Sequence, residues 1–463
     1  MMTIKRLASF SANAVMIPLL LIFANVDLLG ASGSPDPTFG TGGVATNIFA
    51  DIHPIAVEQQ QGGKLLVLCY TGEGSSRRIV VRRHNANGSL DSSFGFHGEA
   101  VKSYVPLFNL VQRVYGTPIA FKVQSDGKIL VAGETTDPKL AAVWRFTAAG
   151  ILDTTFGAGN GYVVLGLNVI SGTSIDIDVS AGKPLIFYQV QKVFSGPGYP
   201  FPTTRTVSYL TRLRTDGSAD STFGTLGNVY IPYTFSLGSG VTVAPASGKI
   251  YVFGLSSSSF YVLGGSNAPR IFRFLTGGLA DPGFPTVEAP TNFDSVCYDE
   301  NGPSAGTSNV QYQSLMVQTG DNILVSSASY NLGGWIYYQA NTSRFLSNGF
   351  PDQIYGGAWG GKCEVSALIK PGDPPFFVSD SRISRVVQQS DGRFIFGVWD
   401  SAYPYLKRRL GNGDLDPSFQ PTLSLGLGTF LDILIQTADG KAVILSRFPD
   451  HNWSGYKLLR LLQ

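Results

Sequence analysis

A short element, Asp-x-x-Phe, recurs seven times, opening at Asp36, Asp91, Asp153, Asp220, Asp281, Asp352 and Asp416. Successive copies lie 55 to 71 residues apart, and the copy at Asp352 is degenerate, with Tyr355 in place of Phe. Repetition at this period makes a chain of units that each pack on their neighbours. The 463 residues therefore need not divide into separately cored domains, although single cores usually split beyond ~250–300 residues.

Two further elements keep step with the first. One is an apolar run, a Gly-Lys-type turn and a second apolar run, with turns at Gly63-Lys64, Gly127-Lys128, Gly182-Lys183, Gly248-Lys249, Asp321-Asn322, Gly392-Arg393 and Gly440-Lys441. The other is a short strand with a central Arg, running into a glycine turn and the next Asp-x-x-Phe; Val80-Val81-Arg82-Arg83-His84 before Asn87-Gly88 is one copy. Apolar runs bounded by Asp-Gly and Asn-Gly pairs are strand and hairpin signals. Each unit thus predicts four strands, and four-stranded units repeated radially make a β-propeller. The expected fold is all-β, with seven four-stranded blades. The chain after its leader opens on a lone fourth strand and ends on a third. Residues 44–49 are therefore expected to pair with residues 456–462 and close the ring, covering edges that an open array exposes.

Composition suits this reading. Glycine is abundant at 55 residues, aromatics reach 12% and charged residues only 14%, which excludes a charge-rich disordered chain. The net charge is +2 and no basic stripe is present, so no nucleic-acid partner is expected. Lys5 and Arg6 precede an apolar stretch at 14–23, and Ala31-Ser32-Gly33 supplies small residues of a cleavage site. The expected division is a signal peptide at 1–33 and one propeller at 34–463, with a retained anchor as the alternative. Asn25 and Asp27 interrupt the apolar run, and no membrane span is expected after signal removal. A secreted, periplasmic or cell-surface monomer follows.

The combined signals resemble a known family. Asp36 to Gly43 (Asp-x-x-Phe-Gly-x-Gly-Gly), Gln124 to Gly133 (Gln-x-Asp-Gly-Lys-Ile-Leu-Val-x-Gly) and Arg83 to Asp91 (Arg-x-x-x-x-Gly-x-Leu-Asp) are similar to the delta-60 repeat. That resemblance spans nearly all of the chain after the leader. It implies a bacterial seven-bladed propeller of unknown function and supplies no catalytic residues.

A residue placed alike in seven units does one structural job seven times. Asp is expected to cap its own turn by accepting N–H groups two or three residues on. Phe is expected to fill the seam between blades, and the following Gly to supply positive φ. Function is sought where the units differ. The spacings place extra length in the fourth-to-first connections of units two, five and six and in the second-to-third connection of unit three. Antiparallel strands put all of these on one face, and loops on rigid scaffolds carry binding. Aromatics and acids in 194–202, 293–299, 330–338 and 359–377 point to Trp335, Trp359, Tyr298, Asp299 and Glu364 as binding residues. Cys297 and Cys363 fall in the same insertions and are candidates for a disulfide, if their Cα atoms lie within ~4.4–6.8 Å. Cys69, in an apolar run, reads as a buried hydrophobe. The four His residues make no metal-ligand spacing, so neither metal nor cofactor is expected.

The leading expectation is an exported binding or surface-interaction scaffold whose ligand is a glycan or a protein. The alternative is an extracytoplasmic hydrolase, lyase or lactonase with its site in the central channel. Asp176, Arg385 and Asp432, near the starts of first strands, are the candidates there. Fold alone does not separate the two readings.

Overall fold

The structure, a computed structural model, describes residues 32–48, 51–72, 78–101, 119–134, 140–167, 175–196, 199–231, 233–235, 239–258, 268–288, 309–331, 336–356, 361–369, 382–383, 385–400, 403–421, 430–448 and 455–463. These residues form seven antiparallel sheets, the blades of a β-propeller. Blade one runs His53–Gln59, Leu65–Thr71, Arg78–His84 and Glu99–Val101 in sequence and in sheet order. Blade seven runs Phe430–Ile435, Ala442–Arg447 and Tyr456–Leu461, and its fourth strand is Val44–Asn47 from the other end of the chain. Val44 stands opposite Leu459 and Asn47 opposite Tyr456.

The second strands explain the continuous apolar runs. Leu65, Leu66, Val67, Leu68 and Cys69 are all buried, and alternate residues serve opposite seams. Leu65, Val67 and Cys69 pack with Leu434 and Val443 of blade seven. Leu66 and Leu68 pack with Phe121, Ile129 and Val131 of blade two. A strand covered on both faces has no polar side to alternate with. Each such side chain contributes ~1.5–3 kcal/mol on burial.

The Asp-x-x-Phe corner is the joint between blades. In all seven units Asp Oδ2 accepts the Nε–H of an Arg on the third strand at 2.7–2.9 Å. In six units the turn Lys or Arg reaches the same carboxylate: Lys64, Lys128, Lys183, Lys249, Arg393 and Lys441. Blade five has Asn322 at this place, and its Oδ1 accepts the Ser347 N–H instead. Asp Oδ1 caps its own turn; in blade two it takes the Thr155 N–H at 3.0 Å and the Thr155 hydroxyl at 2.6 Å. The same guanidinium lies 4.3–5.0 Å from the centre of the corner Phe or Tyr ring, a cation–π contact. In six units its Nη1 donates to a turn carbonyl of the next blade, as Arg83 does to Ala148 at 2.8 Å and Arg460 to Ala86 at 2.7 Å.

The corner ring occupies the seam. Phe39, Phe94, Phe156, Phe223 and Tyr355 are fully buried. Each is seated under the turn glycine of the following blade: a Cβ added at Gly150 would lie 2.7 Å from the Phe94 ring. Only glycine leaves that space, and it also takes the positive φ of the turn without strain.

Three features differ from expectation. The degenerate corner at Asp352 makes a one-turn helix, Gln353–Gly356. Asp352 Oδ1 accepts the Ile354 N–H as an N-cap, and Tyr355 still fills the seam. Blade four gains a strand, Tyr233–Phe235, paired with residues 256–258 of its second strand. The extra length of blade three lies in its strands, not in a loop. Its second and third strands, Lys183–Gly196 and Tyr199–Arg212, each have 14 residues and pair as far as Gly196 with Tyr199.

Two outcomes follow from the corner. Phe94→Ala is expected to cost ~3–5 kcal/mol in a denaturant titration; a loss under ~1 kcal/mol means that the seam does not depend on the ring. The second concerns acid. Burial alone raises the Asp153 carboxyl, but Thr155, Arg145 and Lys128 outweigh it and hold it down at about 2. That stabilisation is present above the unfolded value of 3.8 and is lost as pH falls through the folded one. Asp153→Asn is therefore expected to lower Tm at neutral pH, with the gap from the parent protein narrowing toward pH 2.

Candidate functional site

The first strands of the blades stand round the axis of the ring, and most carry small or apolar residues. In blades one, two, three, six and seven that pattern is broken by charge. Glu58, Lys122 and Asp178 each stand two places before the residue that opens the first turn, Gln60, Gln124 and Ser180. Arg385 and Asp432 stand two places further back, as does Asp176. Charges of one tier pair across adjacent blades, and Arg385 of blade six reaches past blade seven to Glu58 of blade one. Lys122 Nζ lies 3.4 Å from Glu58 and 3.7 Å from Asp178. Arg385 lies 3.2 Å from Glu58 and 3.6 Å from Asp432. The result is an arc of alternating sign, Asp432, Arg385, Glu58, Lys122, Asp178. Blades four and five continue the two tiers with Gly240, Thr242, Ser314 and Met316, which carry no charge.

Sequence reasoning named Asp176, Arg385 and Asp432 as facing different blades. The structure pairs Arg385 with Asp432 and sets Asp176 at the other end of the arc beside Asp178. Sequence reasoning also saw Asp176 and Asp178 on one side of their strand, but it missed Glu58 and Lys122. The available signal was a lone charge inside an apolar strand, as in Phe121-Lys122-Val123 and Ile177-Asp178-Val179.

The carboxylates also bond to backbone. The inner edge of a first strand has no neighbouring strand to pair its N–H groups. Asp432 Oδ2 accepts the Val57 N–H of blade one at 2.9 Å. Asp176 and Asp178 accept from Val241 and Val243 of blade four at 2.9 and 2.8 Å. Ser314 plays the same part, with its Oγ accepting the Val386 N–H at 3.3 Å. Gly240 makes room: a Cβ there would lie 2.5 Å from Asp176 Oδ2.

Electrostatics divide the acids. Burial raises Glu58, yet Lys122 and Arg385 outweigh it and hold the carboxyl below its ordinary range. Lys122 is raised by Glu58 against the opposing effect of its own burial. Asp176 goes the other way. Burial, with the Asp178 charge adding to it, lifts its carboxyl to about 6 despite the N–H groups of Val241 and Ile177. Asp432 is raised by burial, against the pull of Arg385 and the Val57 N–H. The arc is a compensated network holding one carboxyl that titrates near neutrality. Arg385 and Lys122, with side chains 38% and 27% exposed, are its open members.

Trp335, Trp359, Tyr298, Asp299 and Cys297 lie outside the described residues. Cys363 and Glu364 lie in the fourth strand of blade five, Gly361–Ile369, rather than in a loop, with Cys363 opposite Asn341. Cys69 is buried as expected, and burial pushes its thiol far up. His84 is buried between the Tyr456 hydroxyl at 2.7 Å and the Gly88 carbonyl at 3.1 Å, and burial lowers it to about 4. Among the described residues no group of three or more His, Cys, Asp or Glu is placed to hold a metal ion, and no helix is long and apolar enough to cross a membrane.

Repeated corners, four-stranded blades and a ring of first strands define a seven-bladed β-propeller. Residues 60–94, 124–156 and 246–284 match the family described as a domain of unknown function (DUF5122) beta-propeller. The pattern that the chain shares with the delta-60 repeat is compatible with that match. No curated protein matches the chain. Solved structures similar to it include the polysaccharide lyase Uly1, at 9% identity over 89% of this chain and 90% of that one, TM-score 0.48. Others are a puromycin hydrolase S511A mutant complexed with PGG, at 12% identity over 93% and 55%, TM-score 0.46, and Drosophila Semaphorin 2a, at 10% over 94% and 76%, TM-score 0.44. The chain spans about half the length of the puromycin hydrolase. None of these likenesses transfers chemistry to this chain.

The raised Asp176 gives a signed expectation. Its folded value of about 6 exceeds the unfolded 3.8, so its contribution to stability falls as pH rises between them. Asp176→Ala is expected to lower Tm more at about pH 4.5 than at about pH 7. The reverse order in a pH series of melting curves would show that burial does not retain the proton.

Proposed function

We propose that this protein is an exported, non-catalytic binding propeller that engages a glycan or protein ligand on the face opposite the Asp corners. The observation that carries this reading is the blade-three ribbon. The first strand of that blade covers only residues 183–187 of the second, and the fourth strand covers only 208–211 of the third. From Val190 with Val207 to Gly196 with Tyr199 the ribbon has two strands. It is anchored at its base by the buried Gln189, which donates to the Phe235 carbonyl at 2.8 Å and accepts the Phe235 N–H at 3.0 Å. Above that anchor Gln191, Lys192 and Val193 are exposed, with Lys192 Nζ 5.7 Å from the Phe194 ring centre. A projecting two-stranded ribbon adds little stability of its own. Its strand edges and mixed polar and aromatic surface suit a partner that adds a strand or lays a sugar ring against it.

The second reading is an extracytoplasmic enzyme of hydrolase, lyase or lactonase type, with its site in the channel. Asp176 favours it, because a carboxyl titrating near neutrality is suited to general acid or base work. The compensated arc and the backbone contacts of the acids favour a structural role instead.

Replacing residues 192–205 by Asn-Gly, between the paired Gln191 and Thr206, supplies a tight hairpin turn. The shortened protein is expected to keep its Tm and to lose capture on a glycan array or in pull-downs with defined surface proteins. Full retention of a ligand bound by the parent protein moves the site away from the ribbon.

A further inference from the structure

The blade-three ribbon has two edges, and they differ in what they offer another strand. The pairing register fixes which backbone groups point outward. At the base of the ribbon the Leu213 N–H donates to the Pro184 carbonyl, whereas the Arg212 N–H turns the other way, to Gly227. In an antiparallel pair this alternation continues along both strands. Carried up the ladder, it turns the N–H and C=O groups of Gln191 and Val193 away from the third strand. On that side the first strand reaches only residues 183–187. Thr204 and Thr206 turn theirs to the opposite side, where the fourth strand reaches only residues 208–211.

The third-strand edge is blunted. The Thr206 carbonyl already accepts the Thr234 hydroxyl at 3.1 Å, and Pro202, further along, has no N–H to donate. The second-strand edge has no proline from Val190 to Ser195. Val193 is 61% exposed there, and among the described residues no strand pairs with Gln191 or Val193 on the outer side. Edge groups of this kind are a template for a further strand. Charge adds a preference. Lys192 and Arg205 stand directly opposite each other in the register, and like charges so placed are destabilising. Residues 183–212 include no acid to offset them.

We propose that the outer edge of the second strand of blade three, at Gln191–Val193, takes up an extended acidic segment of a protein ligand as an added strand. Main-chain bonds to Gln191 and Val193 hold the segment, as in other strand additions. Side chains select it. Lys192 lies over the Phe194 ring, 5.7 Å from its centre, so the two share one face of the ribbon. Residues at alternate positions of the added strand reach that face: an acidic one beside Lys192 and an apolar one beside Phe194. A second copy of this chain is the poorer occupant, because its ribbon brings further cations to the same place. This inference rests on the reading of the ribbon as the binding site, and it chooses protein over glycan.

The test is a phage-displayed library of random short peptides, panned on the parent protein and cleared on the form shortened at 192–205. Clones that need the ribbon are expected, enriched in acidic residues. Synthetic copies of them are expected to slow amide exchange at Gln191 and Val193 and to leave Thr204 unchanged. Val193→Pro removes one outward N–H and is expected to weaken their binding about tenfold or more. Thr204→Pro, on the edge that Pro202 already blunts, is expected to weaken it less than about twofold. If Val193→Pro lowers Tm, the exchange pattern of the parent protein decides. The inference is overturned by a lack of ribbon-dependent clones, by protection on the Thr204 side, by equal losses in the two variants, or by a ribbon-dependent dimer in ultracentrifugation. A glycan captured by the parent protein and lost by the shortened form, with no peptide captured, overturns it and leaves the ribbon as the site. Peptides that bind the shortened form equally well overturn the ribbon reading too.

Discussion

One carboxylate per blade organises this ring. Its Oδ2 takes the Nε–H of an Arg and, in six blades, a second cation from the neighbouring turn. Its Oδ1 caps the corner that brings the fourth strand back. Charge-assisted hydrogen bonds of this kind contribute ~1.5–3 kcal/mol each, and removal of one member of a buried pair costs ~3–5 kcal/mol. Because the same Arg stacks on the corner ring and reaches into the next blade, a single group couples strand to strand and blade to blade. The tolerated departures support this ranking. Gly283 supplies an N–H but no hydroxyl, Asn322 supplies no charge and Tyr355 replaces Phe. The Asp–Arg pair persists through all three.

The axis of the ring poses a different problem. Seven first strands present inner edges whose N–H groups have no strand partner, and burying an unpaired donor costs free energy. Asp176, Asp178, Asp432 and Ser314 supply acceptors from the preceding blade. Carboxylates placed there bring charge among the first strands, and Lys122 and Arg385 balance most of it. Asp176 is the member least compensated, which is why it holds a proton to higher pH. The charged arc thus follows first from backbone satisfaction, and any chemistry would be built on top of it.

Much of this was readable in the chain. Seven copies of Asp-x-x-Phe gave blade number, and the buried ring, the self-capping Asp and the turn glycine behave as local chemistry requires. Continuous apolar runs such as residues 65–69 marked strands covered on both faces. Less readable was the meeting of Arg83, Lys64 and Asp91 on one carboxylate, because sequence spacing shows three separate signals and not their convergence. The ribbon of blade three was read as a loop because its extra length carries the aromatics and prolines of 194–202, whereas the length of a ladder depends on which residues find partners. Nor does local spacing show that Gly33, the seventh turn glycine, donates its N–H to the carbonyl of Leu462 from the far end of the chain.

By itself, the sequence determined the repeat, the strand pattern and the ring of seven, since these depend on periodic apolar residues and on turn chemistry that acts over a few positions. Only the tertiary structure decided which charges pair in the arc, how far the strands of the third blade extend and how Gly33 and Leu462 meet in one turn. Those outcomes depend on contacts between residues far apart in the chain, where distance and burial set the energies and local propensity has no bearing.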